Sequence, residues 1–115
     1  MNVLIIINDA PYGTEKAFNA LRLAMTLQGE GADVNIFLLA DAVTCALPNQ
    51  VTPQGYYNIS SMLKGIIAKG GQVKVCGRCA IARGIKELKL IDGAEISSMM
   101  ELTRWVIDSD KVITF

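Results

Sequence analysis

The sequence predicts an α/β fold: a three-layer α/β/α sandwich built on a mainly parallel sheet of about five strands, in one domain covering residues 1–115. Three observations carry this expectation. The segment N2-V-L-I-I-I7 is nearly all apolar and β-branched, as in a strand covered on both faces. Strand-like and helix-like segments then alternate along the chain, which is the order of parallel βαβ units. A length of 115 residues is that of one domain and suffices to bury roughly two-thirds of the unfolded surface.

After the first strand, Asn8 to Gly13 is turn material. Thr14 is placed to cap a helix, with Glu15 in the first turn suiting the macrodipole. Phe18, Leu21 and Met25 recur at helical spacing, widened by Ala17, Ala20, Ala24 and Leu27, and G29-E-G31 stops the helix. V34-N-I-F-L-L-A40 reads as a second strand. The stretch from Asp41 to Gly55 holds two prolines and reads as a long functional loop with room for one helical turn. Ile59, Met62, Leu63, Ile66 and Ile67 form the stripe of a second helix, capped by Asn58 and ended by G70-G71. V73-K-V-C76 alternates and reads as a short third strand nearer the sheet edge. Cys79 to Gly84 fits one helical turn, with Gly84 ending it, and Leu88–Gly93 fits a short extended segment. S98-M-M-E101 has capping-box spacing, and Met99, Leu102, Val106 and Ile107 supply the stripe of another helix. K111-V-I-T-F115 closes the chain as a strand.

Composition narrows the function. Acidic and basic residues balance at 11 each, with no basic stripe, so nucleic acid is not an expected partner. Apolar runs are too short for a membrane span and no signal peptide is evident, which points to the cytoplasm. Apolar residues make up 51% of the chain, and with 10 glycines the total is about 60%, above the ~45–50% of ordinary soluble domains. The surplus suits a subunit interface. There is no histidine, which removes Cys-His and Ser-His-Asp catalysis and any His-ligated metal.

In a parallel sheet, ligands gather beyond the carboxyl ends of the strands. Three segments meet there: D9-A-P-Y-G13, D41-A-V-T-C45 and C76-G-R-C79. The Cys76/Cys79 pair admits four readings. A redox dithiol would use a helix N-terminus to lower a thiol pKa, although the flanking aromatic and proline of that motif are missing. A structural zinc site needs four ligands, and even with Cys45 only three thiols exist. Both cysteines also fit as small buried hydrophobes, the favoured reading for Cys45. The fourth reading is a thiolate that carries sulfur as a persulfide, stabilised by Arg78, Arg83 and the amides after Cys76. Tyr12, Asp9 and Asp41 would shape such a pocket. Gly13 does not belong to a phosphate-binding loop, because neither the dinucleotide fingerprint nor the Walker pattern is present.

N8-D-A-P-Y-G13, D41-A-V-T44, G55-Y-Y-N58, C76-G-R-C-A-I-A-R-G84, L90-I-D-G93 and D110-K-V-I-T-F115 together resemble the DsrE/DsrF-like family, in its YchN-like branch, from first strand to last. The resemblance implies a compact α/β/α fold assembled as homotrimers or homohexamers in the cytoplasm. In the sulfur-relay members an acceptor cysteine ends a strand, eight residues before the glycine of an Arg-Gly pair. That position here is Cys76, counted to Gly84. The implied function is acceptance and relay of sulfane sulfur, between donor and acceptor proteins, with no metal or organic cofactor and little turnover by the chain alone. Cys79 departs from the relay members and fits the pattern of the YchN-like branch. Two alternatives from other classes accompany this expectation: a Cys-x-x-Cys thiol–disulfide redox protein, and a non-catalytic oligomeric module binding a ligand or protein.

Overall fold

The computed structural model describes all residues, 1–115. Five strands, β1 (Asn2–Ile7), β2 (Asp33–Leu38), β3 (Gln72–Cys76), β4 (Ala94–Ser97) and β5 (Lys111–Thr114), form one sheet in the order β4-β3-β2-β1-β5. Every pairing is parallel. The helices are α1 (Lys16–Gly29), α2 (Ile59–Ala68), α3 (Gly77–Ala82) and α4 (Met99–Asp108), with a 3-10 segment at Ala40–Ala46. The fold class expected from the sequence is the one observed.

Topology fixes the layers. From β1 to β4 the chain steps across the sheet in one direction, so right-handed crossovers place α1 and α2 on the same face. Gln28 of α1 donates to the Ile66 carbonyl of α2 at 3.0 Å, as neighbours on that face do. The return from β4 to β5 crosses the whole sheet, and α4 therefore covers the opposite face. There Trp105 meets Phe37 of β2 edge-on at 6.0 Å, and the Lys74 ammonium of β3 lies 4.9 Å from the Trp105 ring. The core is one cluster of 27 buried residues, centred on Leu4, Ile5 and Ile7 of β1 and Ile36, Phe37 and Leu38 of β2.

Asn58 caps α2 as its residue type demands, accepting from the Ser61 N–H at 3.0 Å. Several local expectations differ from the structure. Helix α1 starts two residues after Thr14, whose hydroxyl accepts from the Lys16 N–H, and Glu15 stands at the N-cap without a side-chain bond. Its inner face is the small set Ala17, Ala20, Leu21 and Ala24, which lets the helix lie close to the sheet, while Met25 is exposed. Leu88–Gly93 is not the extended segment. Ile91 is buried and donates its N–H to the Ala46 carbonyl, Gly93 turns the chain at φ +92°, and the strand is the following Ala94–Ser97. That strand takes the sheet edge, so β3 lies one position in from it. In the 41–55 loop the helical piece is the seven-residue 3-10 segment.

The largest difference concerns α4. Only Leu102 of its expected stripe is buried; Met99, Val106 and Ile107 are exposed, Ile107 by 75%. The sheet-facing side is Leu102 and Trp105, three residues apart, because Lys74 and Phe37 hold the indole against the sheet. Met100 of α4 is also exposed, as is Val112 of β5 on the same side of the sheet, so the α4 face of the sandwich is incompletely covered.

Candidate functional site

In a doubly wound sheet the binding crevice forms where neighbouring strands send their connections to opposite faces. Here that point lies between β3 and β4. After β3 the chain enters α3, which packs against the 3-10 segment on the α1/α2 side. After β4 it enters α4 on the other face. Cys76 is the last residue of β3, and its register partner is Ser97, the last residue of β4. A cavity of about 290 Å3 opens there, lined by Cys76, Gly77, Arg78, Ile81, Lys86, Ile96, Ser97, Ser98 and Met99.

The strands approach closely at this point because residue 77 is glycine. A Cβ on Gly77 would lie 3.1 Å from the Ser97 carbonyl oxygen and 3.2 Å from Ile96 Cγ2. The far wall is secured from below. Ser97 hydrogen-bonds Glu101 of α4, and Glu101 pairs with Lys74 at 3.4 Å. Lys74 and Cys76 share a face of β3, two residues apart. Ser98 caps α4 by accepting from the Glu101 N–H at 3.3 Å, so one half of the expected capping box forms; the Glu101 carboxylate turns to Ser97 and Lys74 instead.

Cys76 is the N-cap of α3, and its Sγ accepts from the Cys79 N–H at 3.4 Å. The residue is only 7% exposed. Burial, reinforced by contact with the Cys79 thiol, pushes the Cys76 thiol above its ordinary pKa; the Cys79 and Arg78 amides pull the other way and do not prevail. Cys76 is therefore mainly a protonated thiol at neutral pH, and the charged form has to be supported as it reacts. Cys79 is half-buried, and its Sγ accepts from the Ala40 N–H at 3.2 Å. Both cysteines are free thiols.

The other expected site residues fall into three places. Arg78 lines the cavity directly. Arg83 does not face it: Nε and Nη2 both lie 2.8 Å from Asp41 Oδ1, and Nη1 donates to the Cys79 carbonyl at 3.2 Å. This pairing joins α3 to the 3-10 segment. Gly84 ends α3 at φ +70° and lines an adjacent depression with Ile81, Lys86 and Glu87. Asp9 accepts from the Thr14 hydroxyl at 2.8 Å and, with Asp41 and Gly13, borders a separate shallow depression. Tyr12 holds φ +70°; its hydroxyl donates to Gln50 Oε1 at 2.5 Å and accepts from the Ile59 N–H at 3.0 Å, which secures the start of α2. Cys45 is fully buried and donates weakly to the Asp9 carbonyl at 3.7 Å; burial pushes its pKa up to about 12, as befits an inert core thiol. No group of three or more Cys, Asp or Glu side chains is arranged to hold a metal ion.

Sequence reasoning missed Lys86, Ser97 and Ser98. Lys86 sits in a loop of alternating charge with no periodicity, and Ser97 ends, and Ser98 follows, a four-residue strand whose pattern is too short to read.

A parallel sheet with its switch point at a strand-end cysteine pair defines a class of small α/β thiol proteins. The model of the DsrE/DsrF-like family matches residues 1–115, and the chain belongs to that family. It is 46% identical to the protein YchN of Escherichia coli K12, over 98% of this chain and 97% of that one. It is 47% identical to the uncharacterized protein MJ0989 of Methanocaldococcus jannaschii, over the full length of both. The crystal structure of E. coli YchN superposes with a TM-score of 0.94 at 44% identity, covering 100% of this chain and 99% of the other. A protein of unknown function from Methanobacterium thermoautotrophicum, MTH1491, shares the fold with a TM-score of 0.77 at 13% identity, covering 99% and 97%.

Proposed function

We propose that this chain is a sulfur-transfer protein in which Cys76 accepts sulfane sulfur and passes it on. The observation that carries the reading is the position of Cys76 at the β3/β4 switch point, its thiol at a cavity wall with Arg78 and Lys86. The Cys76 thiolate attacks the outer sulfur of a donor persulfide. The donor S–S bond breaks, its electron pair leaves on the donor thiolate, and Cys76 holds the sulfur as a persulfide anion. An acceptor thiolate repeats the exchange, taking the outer sulfur and returning Cys76 as thiolate. Each step conserves electrons and needs no cofactor. The cavity cations and the Cys79 amide offset the negative charge that burial disfavours. Cys79, whose sulfur meets Cys76 through the first turn of α3, shares or resolves the bound sulfur. The reading includes cytoplasmic, homo-oligomeric assembly as trimers or hexamers with donor and acceptor proteins; no helix is long and apolar enough to cross a membrane.

A second reading, thiol–disulfide exchange, draws on the same proximity of Cys76 and Cys79. One experiment separates the two. The protein is incubated with a cysteine desulfurase and cysteine and weighed intact. A reducible gain of one sulfur, lost in Cys76→Ser, is the expected result. A loss of two hydrogens under mild oxidation, with no sulfur gain from any donor, sinks the carrier reading in favour of the redox one. Retention of full cellular activity by Cys76→Ser indicates a non-catalytic binding module.

A further inference from the structure

The cavity that holds Cys76 also carries information about the donor. Its volume, about 290 Å3, lies at the bottom of the ~300–1,000 Å3 range of small-molecule sites. Cys76 is reached through this cavity and is otherwise buried. Ile81, Ile96 and Met99 form its apolar rim, and each is itself exposed, so the shape of the cavity admits both a small molecule and a loop. Charge narrows the choice. Arg78 and Lys86 line the cavity, no Asp or Glu does, and neither cation has an ion-pair partner; the two salt bridges of the chain are Lys74–Glu101 and Arg83–Asp41. Glu87 borders the adjacent depression rather than this one. Two unpaired cations beside one thiol exceed what a single persulfide anion requires.

We propose that the sulfur donor is a small dianionic sulfane compound of the thiosulfate type, bound by Arg78 and Lys86 with its outer sulfur toward Cys76 Sγ. This rests on the sulfur-acceptor reading above and adds the substrate class. The Cys76 thiolate attacks the outer sulfur of thiosulfate and forms the Cys76 persulfide bond. The S–S bond of thiosulfate breaks, and its electron pair leaves on sulfur as sulfite. Three negative charges enter the step and three remain, one on the persulfide and two on sulfite. The planar guanidinium of Arg78 suits two oxygens of the oxyanion, and the Lys86 ammonium serves as a point charge for the third.

The test uses the whole protein with two donors, thiosulfate and a cysteine desulfurase supplied with cysteine. Sulfite release and intact mass are followed together. The proposal expects one sulfite per Cys76 persulfide with thiosulfate. It also expects the thiosulfate loading rate to fall at least about tenfold in Arg78→Ala and in Lys86→Ala, each cation supplying a charge-assisted contact. Desulfurase loading should change much less in both variants. Loading by the desulfurase but not by thiosulfate overturns the proposal and leaves the acceptor reading standing. Failure with both donors, the Cys76 thiol remaining open to alkylation, overturns both. Thiosulfate loading that is indifferent to Arg78→Ala and Lys86→Ala rejects the cation-bound donor.

Discussion

The backbone N–H of Ala40 donates to Cys79 Sγ at 3.2 Å, joining two segments that lie 39 residues apart in sequence. Ala40 holds φ +50°, in the left-handed region that costs a residue with a Cβ about 1–2 kcal/mol. The thiol thus helps to fix a strained entry into the 3-10 segment. Cys79→Ala removes the acceptor from a half-buried amide and should cost about 1 kcal/mol in denaturant unfolding. Ala40→Gly relieves the backbone and, after the entropy cost of glycine, should raise stability by up to about 1 kcal/mol. A marked destabilisation by Ala40→Gly contradicts the strain argument.

The Lys74–Glu101–Ser97 chain should matter more than an exposed ion pair would. The Lys74 side chain is only 15% exposed and lies against Trp105 as well as Glu101. Lys74→Ala is expected to cost about 1–2 kcal/mol, from the cation–π contact together with the lost stem packing. Because Ser97 forms part of the cavity wall, sulfur loading of Cys76 should slow in the same variant under conditions where it remains folded. Chemical unfolding and loading rates, measured side by side, check both outcomes.

Cys76 and Cys45 should separate by their response to pH. Cys76, with its pKa raised by burial, should alkylate slowly at pH 7 and faster at each step upward, as the thiolate fraction grows about tenfold per unit below the pKa. Cys45 should resist alkylation until the protein unfolds. Its folded pKa is raised from 9.0 to about 12, so the unfolded state loses its proton first. The resulting stability is fully present below pH 9 and is lost as the pH climbs toward 12. A Cys45→Ala variant should show a shallower alkaline decline, and an unchanged decline would falsify the assignment.

The exposed apolar residues of α4 and its neighbours, Met99, Met100, Val106, Ile107 and Val112, fit an interface between copies of this chain. Ile107→Lys should reduce the mass measured by light scattering from that of an oligomer toward 12.4 kDa, the mass of one chain. Leu102 and Trp105 hold α4 on the sheet, so the fold should survive. A monomeric wild-type protein, or an assembly that ignores the substitution, refutes the interface.

Long, strongly patterned segments were legible. The β1 run, the α2 stripe with its Asn58 cap and the placement of Cys76 at a strand end all follow from residue type and period, and the structure shows each of them. Shorter features were not. Ala94–Ser97 is only four residues long, and its strand character comes from pairing with β3. The stripe of α4 misled because spacing identifies an apolar face without saying what covers it; Met99, Val106 and Ile107 face away from this chain's own core.

By itself the sequence determined the α/β class, the family and the strand-end thiol, because hydrophobic period and motif spacing are local properties that the chain carries in order. Only the tertiary structure decided which groups share a cavity with Cys76. The β4 strand that opens the switch point, Lys86 from a loop, and the diversion of Arg83 to Asp41 all depend on long-range pairing. Such pairing is set by which surfaces bury together, and no local pattern encodes it.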